Sequence, residues 1–265
     1  MKRTFTILVI ALLLIMVTAI PCLAWGPNTH LEIDKSINES TLFRQGSVFP
    51  DMALALHYAA GYLWHSPPDN YMEIHHTLHS REFADILWDT CQTNNVQEFV
   101  EGWICHTMGS DPVESAYTAD KLSQGAPNGV DWCVDWYYQP NNMDCSICPE
   151  VKLALQQALA QTDLDWMPSS WYDWDDIEYI YEEYLDIWAD WYVINGYDVV
   201  AQEWYSDHEW YIQSSVAHSF VEILSYQGSA TMTDVLQCIN WWEYGRYLDM
   251  SDVLKVVNLW LYLRN

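Results

Sequence analysis

The amino-acid sequence predicts an all-α protein, and three observations carry that reading. Apolar residues recur at three- and four-residue spacing through most of the chain beyond residue 24, the period of helices that turn one face to a core. Alternating apolar and polar runs, the mark of a half-buried strand, are scarce. Half of the 265 residues (51%) are apolar, enough to bury a sizeable core and to exclude disorder as the main state.

Taken in order, the periodicity predicts helices over 30–42, 50–63, 72–90, 95–109, 112–124, 150–161, 176–194, 199–227, 233–244 and 251–263. Residues 1–24 precede them as a targeting segment. Lys2 and Arg3 open it, an apolar run follows, and Pro21-Cys22-Leu23-Ala24 ends on a small residue, the order of a secretory signal peptide. Export is therefore expected, with a mature chain beginning Trp25-Gly26-Pro27. The helix over 72–90 carries His75, His76 and His79. His75 and His79 have metal-ligand spacing, but without further ligands this triplet reads as a solvated or core face, as do His57 and His208. Asp111-Pro112-Val113-Glu114 reads as a helix start, with Asp as cap, Pro in the first turn and Glu completing a capping box. The stretch 125–149, rich in Gly, Pro, Asn and Cys, is expected to be irregular. Residues 163–198 hold eleven acidic side chains and no basic one, interleaved with Trp166, Trp171, Trp174, Trp188 and Trp191. An amphipathic helix with a solvated acidic face accounts for this; the alternative is an aromatic lip for an interfacial or quaternary-ammonium ligand.

The end of the chain repeats itself. Met232-Thr-Asp-Val-Leu with Asn240 and Trp242 returns eighteen residues later as Met250-Ser-Asp-Val-Leu with Asn258 and Trp260. Each copy reads as a capped helix, with Thr231 or Ser251 near its start. The pair resembles the twin helices of dockerin modules, without the Asp/Asn-rich calcium loops, and is read as a helical hairpin packing on the main domain. It offers a possible surface, 231–263, for a weak protein partner. The expected organisation is thus a signal peptide (1–24), a helical domain (25–228) and a C-terminal hairpin (229–265).

Ten basic against 37 acidic residues give a net charge of −27. Nucleic acid and anionic lipid are thereby disfavoured as partners, because both need clustered Lys and Arg. Outside the targeting segment six cysteines remain (Cys91, Cys105, Cys133, Cys145, Cys148 and Cys238), an even count that favours disulfides in an exported chain.

Potential metal ligands are spread along the helices. His218-Ser-Phe-Val-Glu222 puts an imidazole and a carboxylate on one helical face. Phe43-Arg-Gln-Gly-Ser-Val-Phe-Pro-Asp51 places a carboxylate behind Pro50. His65 follows in His65-Ser-Pro-Pro-Asp-Asn, and Gly102-Trp-Ile-Cys-His106 sets an imidazole near a helix end. Trp25 and His30 lie at the expected mature N-terminus.

In this order the segments resemble the zinc-dependent phospholipase C family, which shares its scaffold with the single-strand nucleases of the S1/P1 type. The resemblance spans most of 25–222. It implies an all-α domain holding two or three zinc ions, with Trp25 (through its free amino group and carbonyl), His30, Asp51, His65, His106, Asp111, His218 and Glu222 as ligands. It also implies that Asp111 bridges two metals and that Asp51 acts as a ligand or a base. The implied activity is that of an exported phosphodiester hydrolase acting on phospholipid, in which the metals polarise phosphoryl oxygens and activate water. The chain departs from the family pattern after His106. The bridging aspartate is expected four residues on, where Ser110 stands; Asp111 comes at five, well off the shared face of an ideal helix. No histidine follows nearby, and Glu114 is the candidate for its place. Two alternatives accompany this reading: an S1/P1-type nuclease, and a non-catalytic metal-binding or interaction protein with a decayed site at 110–117.

Overall fold

The computed structural model describes residues 25–62, 70–126, 130–138, 144–162, 164, 174–180, 182–183 and 208–262, and every regular element among them is a helix. The all-α expectation holds. Helix α1 (Pro27–Asp34) opens on a proline, whose missing N–H is no loss in a first turn. The N–H two residues on, that of Thr29, is capped from afar by Asp135 at 2.7 Å. Helix α2 (Thr41–Val48) starts at Ser40, whose hydroxyl accepts the Phe43 N–H, so the single helix expected over 30–42 ends early and a new one begins. A 3₁₀ turn (Phe49–Asp51) leads into α3 (Met52–Tyr62).

The same chemistry divides 72–90. Ser80 accepts the Phe83 N–H, separating α4 (Tyr71–Leu78) from α5 (Arg81–Asp89) and leaving His79 as the C-cap of α4. Helix α6 (Asn94–Ile104) runs without a break through a π-helical turn (Cys105–Ser110) into α7 (Asp111–Ser123). The stretch expected to be irregular contains α8 (Val130–Tyr137), followed by α9 (Pro149–Leu159). Residues 174–180 are helical, as the pattern predicts. Of the tryptophans between 163 and 198 the described one is Trp174, with Lys152 lying 5.8 Å over its ring and pairing with Glu178 at 2.6 Å.

Helix α10 (His208–Gln227) crosses the body, and α11 (Met232–Asn240) and α12 (Met250–Tyr262) form the hairpin. Thr231 and Asp234 close a reciprocal capping box on α11. In the second copy Asp249, rather than Ser251, takes the capping place: it accepts the Asp252 N–H, and Asp252 accepts the Asp249 N–H.

The main core gathers Trp25, Leu31, Phe43, Phe83, Phe99 and Trp103, all 1% exposed or less. Each such side chain contributes on the order of 2 kcal/mol by leaving water. Helices α2 and α6 touch backbone to backbone. A Cβ on Gly46 would meet the Phe99 carbonyl at 1.8 Å, and one on Gly102 would meet the Phe43 carbonyl at 1.9 Å. A second apolar cluster joins Ala217, Val221 and Leu224 of α10 to Val235, Cys238, Val253 and Val256 of the hairpin, so α10 serves both. No described helix is long and apolar enough to cross a membrane.

Candidate metal centre

Five side chains converge from five separate pieces of the fold: His30 from α1, Asp51 from the 3₁₀ turn, His79 from the end of α4, His106 from the π turn and Asp111 from the start of α7. The π turn resolves the spacing problem posed by Ser110. In an α-helix a side chain five residues on would point about 140° away. Here the Asp111 N–H bonds the His106 carbonyl, an i to i+5 link that widens the turn and returns Asp111 to the His106 face. His106 Nε2 and Asp111 Oδ1 stand 3.5 Å apart. Side-chain hydroxyls satisfy the carbonyls around this turn: Thr107 donates to Trp103 O (3.0 Å), Ser110 to His106 O (2.8 Å) and Ser219 of α10 to Cys105 O (3.1 Å). Gly109 admits Ser219, since a Cβ there would lie 2.1 Å from its hydroxyl.

The rings are fixed in one tautomer by what they touch. His106 Nδ1 lies 2.6 Å from Ser47 O, and His79 Nδ1 lies 2.8 Å from His75 O. A carbonyl only accepts, so in the neutral rings both Nδ1 atoms carry the proton and both Nε2 atoms present lone pairs. Those two Nε2 atoms face each other at 2.9 Å. The Ser110 hydroxyl spends its proton on His106 O, so it accepts from His30 Nδ1 at 3.2 Å, and His30 Nε2 has no hydrogen-bond partner. Asp51 Oδ1 sits 3.5 Å from His79 Nε2, and Asp111 Oδ2 sits 3.9 Å from it. Three imidazole lone pairs and two carboxylates thus point into one space. Two overlapping groups, His30–His106–Asp111 and Asp51–His79–His106, can each hold a metal ion, with their ligand atoms within 4.8 Å of one another. Imidazoles whose far nitrogen is tied to a carbonyl are the usual form of metal-ligating histidine.

Burial sets the charge state of this space. It pushes His30 down to about 3, with neighbouring His79 adding to the effect, and His79 down to about 4. His106 is driven well below the ordinary imidazole range by burial and then by His30 and His79. Burial lifts Asp51 to about 7 against the pull of His75, and holds Asp111 well above the usual carboxylate range, with Asp51 adding. Neutral imidazoles beside protonated acids are how a buried site copes without a cation; a divalent ion reverses both trends.

Other expected ligands fall in two groups. Trp25 and Glu114 lie beside the centre. Trp25 is fully buried, its carbonyl accepts from the His30 ring, and its N–H donates to the Glu114 carboxylate, which is 1% exposed. His218 and Glu222 stand elsewhere. His218 is 3.9 Å from Asp252, while Glu222 holds Arg81 at 3.1 Å and Lys255 at 3.3 Å, on the side of α10 that meets the hairpin. The face of α10 toward the centre presents Ser219 instead. His65 lies outside the described residues, as does the segment 1–24. The sequence reading missed His79. Its spacing from His75 was the available signal, and the Ser80 cap that ends α4 was the other half of it. The triplet therefore divides: His76 is exposed, His75 orients His79 through its carbonyl, and His79 belongs to the centre.

Among the described residues Cys91, Cys105, Cys148 and Cys238 are free thiols, so Cys145 and Cys148 are not joined to each other. Cys105 is fully buried against Asp34 (3.8 Å), and burial raises its thiol well above the ordinary range. The side chain of Cys133 lies outside those described. Compared with family models, curated proteins and solved structures, the chain gives no match.

Proposed function

We propose that the protein is an exported, zinc-dependent phosphodiester hydrolase of the phospholipase C type. The observation that carries this reading is the pair of His79 and His106 Nε2 lone pairs at 2.9 Å, with the Asp51 and Asp111 oxygens 3.5 Å from them. Two acceptors at that distance repel unless a cation lies between them, and imidazole with carboxylate is a donor set suited to zinc. His30, His79, His106, Asp51 and Asp111 would hold the ion. When bound, zinc polarises a phosphoryl oxygen and lowers the pKa of water. His79 and Asp111, whose side chains are 12% and 21% exposed, form the mouth through which substrate reaches the centre. Asp51, which the family resemblance casts as a ligand or a base, would be the acceptor for the proton released from the attacking water. The acidity of the chain selects the substrate: a net charge of −27 repels a polyanion, so the remaining group on phosphorus is neutral or cationic, as in a zwitterionic phospholipid.

The test is metal analysis of the exported chain followed by hydrolysis assays at low salt. Zinc at one or more per chain and faster release from zwitterionic phospholipid than from single-stranded DNA are expected. Faster DNA cleavage would replace this reading by the nuclease one. One observation favours a second reading, a metal centre that only stabilises the fold: His30, His106 and Asp51 are 3% exposed or less. Stoichiometric zinc with no turnover of any phosphodiester would establish that alternative.

A further inference from the structure

The two copies of the C-terminal repeat agree where packing does not require it. Val235 and Val253 are buried in the cluster shared with α10, and Asp234 and Asp252 bond the backbone at their helix starts, so the fold itself accounts for those identities. Other pairs on the packed side have drifted: Cys238 is answered by Val256, and Trp241 by Leu259. The exposed pairs have not. Met232 and Met250 are 42% and 44% exposed, Leu236 and Leu254 58% and 51%, and Tyr244 and Tyr262 79% and 80%. Asn240 and Asn258 are exposed as well. Within each copy Met, Leu and Asn follow one another at four-residue spacing, so each helix turns one such row outward. Core packing does not select the same exposed Met, Leu and Tyr twice at matching places; a contact made by both rows does.

Charge narrows what that contact is with. Among the residues from 231 to 262 the exposed charges are Glu243 and Asp249 against Arg246 and Lys255, a balanced set in a chain of net charge −27. A basic partner would call for an acidic face, and this face is neutral and apolar. Two copies of so acidic a chain repel over most of their surface and approach best through a patch of this kind.

We propose that the outer face of the α11–α12 hairpin is a self-association surface on which a second copy of this chain docks, hairpin against hairpin about a two-fold axis. A two-fold contact needs one patch that complements itself. Two like rows on the two helices of a hairpin supply it, since Met and Leu of one copy then lie on Met and Leu of the other. At their exposures the six Met, Leu and Tyr side chains offer several hundred Å², less than the roughly 800 Å² per partner of a standard interface, so the dimer is weak and reversible.

The experiment follows the exported full chain by sedimentation equilibrium from micromolar to millimolar concentration. A monomer–dimer equilibrium is expected. It should tighten as salt is added, because screening weakens the repulsion between acidic bodies and leaves the apolar contact intact. Leu236→Asp and Leu254→Asp should each weaken the dimer at least about tenfold, and to similar extents, because the rows are equivalent. Circular dichroism checks the fold, and Leu236→Gln with Leu254→Gln repeats the test should the acidic variants fold poorly. A chain with Leu236→Asp and Leu254→Asp and one with Leu236→Lys and Leu254→Lys should each stay monomeric alone and pair when mixed, which damage to the fold does not imitate. A chain that is monomeric throughout, or a dimer indifferent to all these variants, overturns the proposal. Binding of a monomer to phosphatidylcholine vesicles that Leu254→Asp abolishes overturns it in favour of a lipid surface.

Discussion

Among the described residues there are two π-helical turns, Cys105–Ser110 and Trp241–Gly245, and they differ in all but backbone pattern. In the first, five of six residues are buried, hydroxyls from Thr107, Ser110 and Ser219 satisfy the surrounding carbonyls, and the widened turn aligns His106 with Asp111. In the second no residue is buried, and the turn ends in Arg246 at a φ of 53°, a left-handed close to the helix. The lesson is that an extra residue in a helix is not a functional mark in itself. It becomes one when neighbouring helices hold the wide turn and a pair of ligands depends on it.

The largest effect should come from adding a residue to the wide turn. Inserting an alanine after Met108 places Asp111 six residues after His106, off the shared face of an α- or a π-turn, so zinc binding should fall by about 100-fold or more, read by competition with a chromophoric chelator. Inserting an alanine after Trp242 in the second turn should leave zinc affinity unchanged; equal losses from both insertions would erase the distinction. Next, His79→Ala should cost on the order of 100-fold in zinc affinity, whereas His218→Ala should cost nothing, because His218 faces Asp252 across the hairpin contact. Gly102→Ala should then destabilise the fold by about 3 kcal/mol in urea unfolding, since its Cβ would drive α2 from α6. Ser219→Ala, which removes one hydrogen bond from the Cys105 carbonyl, should cost about 1 kcal/mol and weaken zinc binding only slightly.

Acidity sharpens the same contrast. Without metal, Asp51 keeps its proton up to about pH 7, and His79 stays neutral down to about pH 4. A divalent ion such as the proposed zinc would take up the carboxylate and the neutral ring, so between pH 5 and 7 each ion bound should expel on the order of one proton, chiefly from carboxylates. Affinity should rise with pH through about 7, and imidazole protonation should compete only near pH 4. Calorimetry at pH 6 in buffers of different ionisation heat measures the proton count. Uptake independent of pH would show that the carboxylates are already charged.

Much of this was legible in the sequence because helical periodicity reports burial of a face, and the faces here are long. Boundaries failed where a short cap outweighed the period: Ser40 and Ser80 each end one helix and start another, and apolar spacing does not register a single hydroxyl. Of the centre, His30, Asp51, His106 and Asp111 were visible as residue types in order along the chain. His79 was not, because its partners lie on other helices and a lone pair of histidines at four-residue spacing is common. His218 and Glu222 misled for the complementary reason. Their spacing is right for a metal, but α10 has two packed sides, and spacing does not tell which side faces the centre. The wide turn was signalled only by a misfit, Asp111 one residue late.

The clamp of Asp135 on Thr29 joins residues 106 apart in the chain. Closing so large a loop is slow and must precede any gain from its contacts, so α1 is among the last pieces to settle. His30 arrives with it. The five side chains of the centre therefore come together only after residue 135 has been made and folded back onto α1.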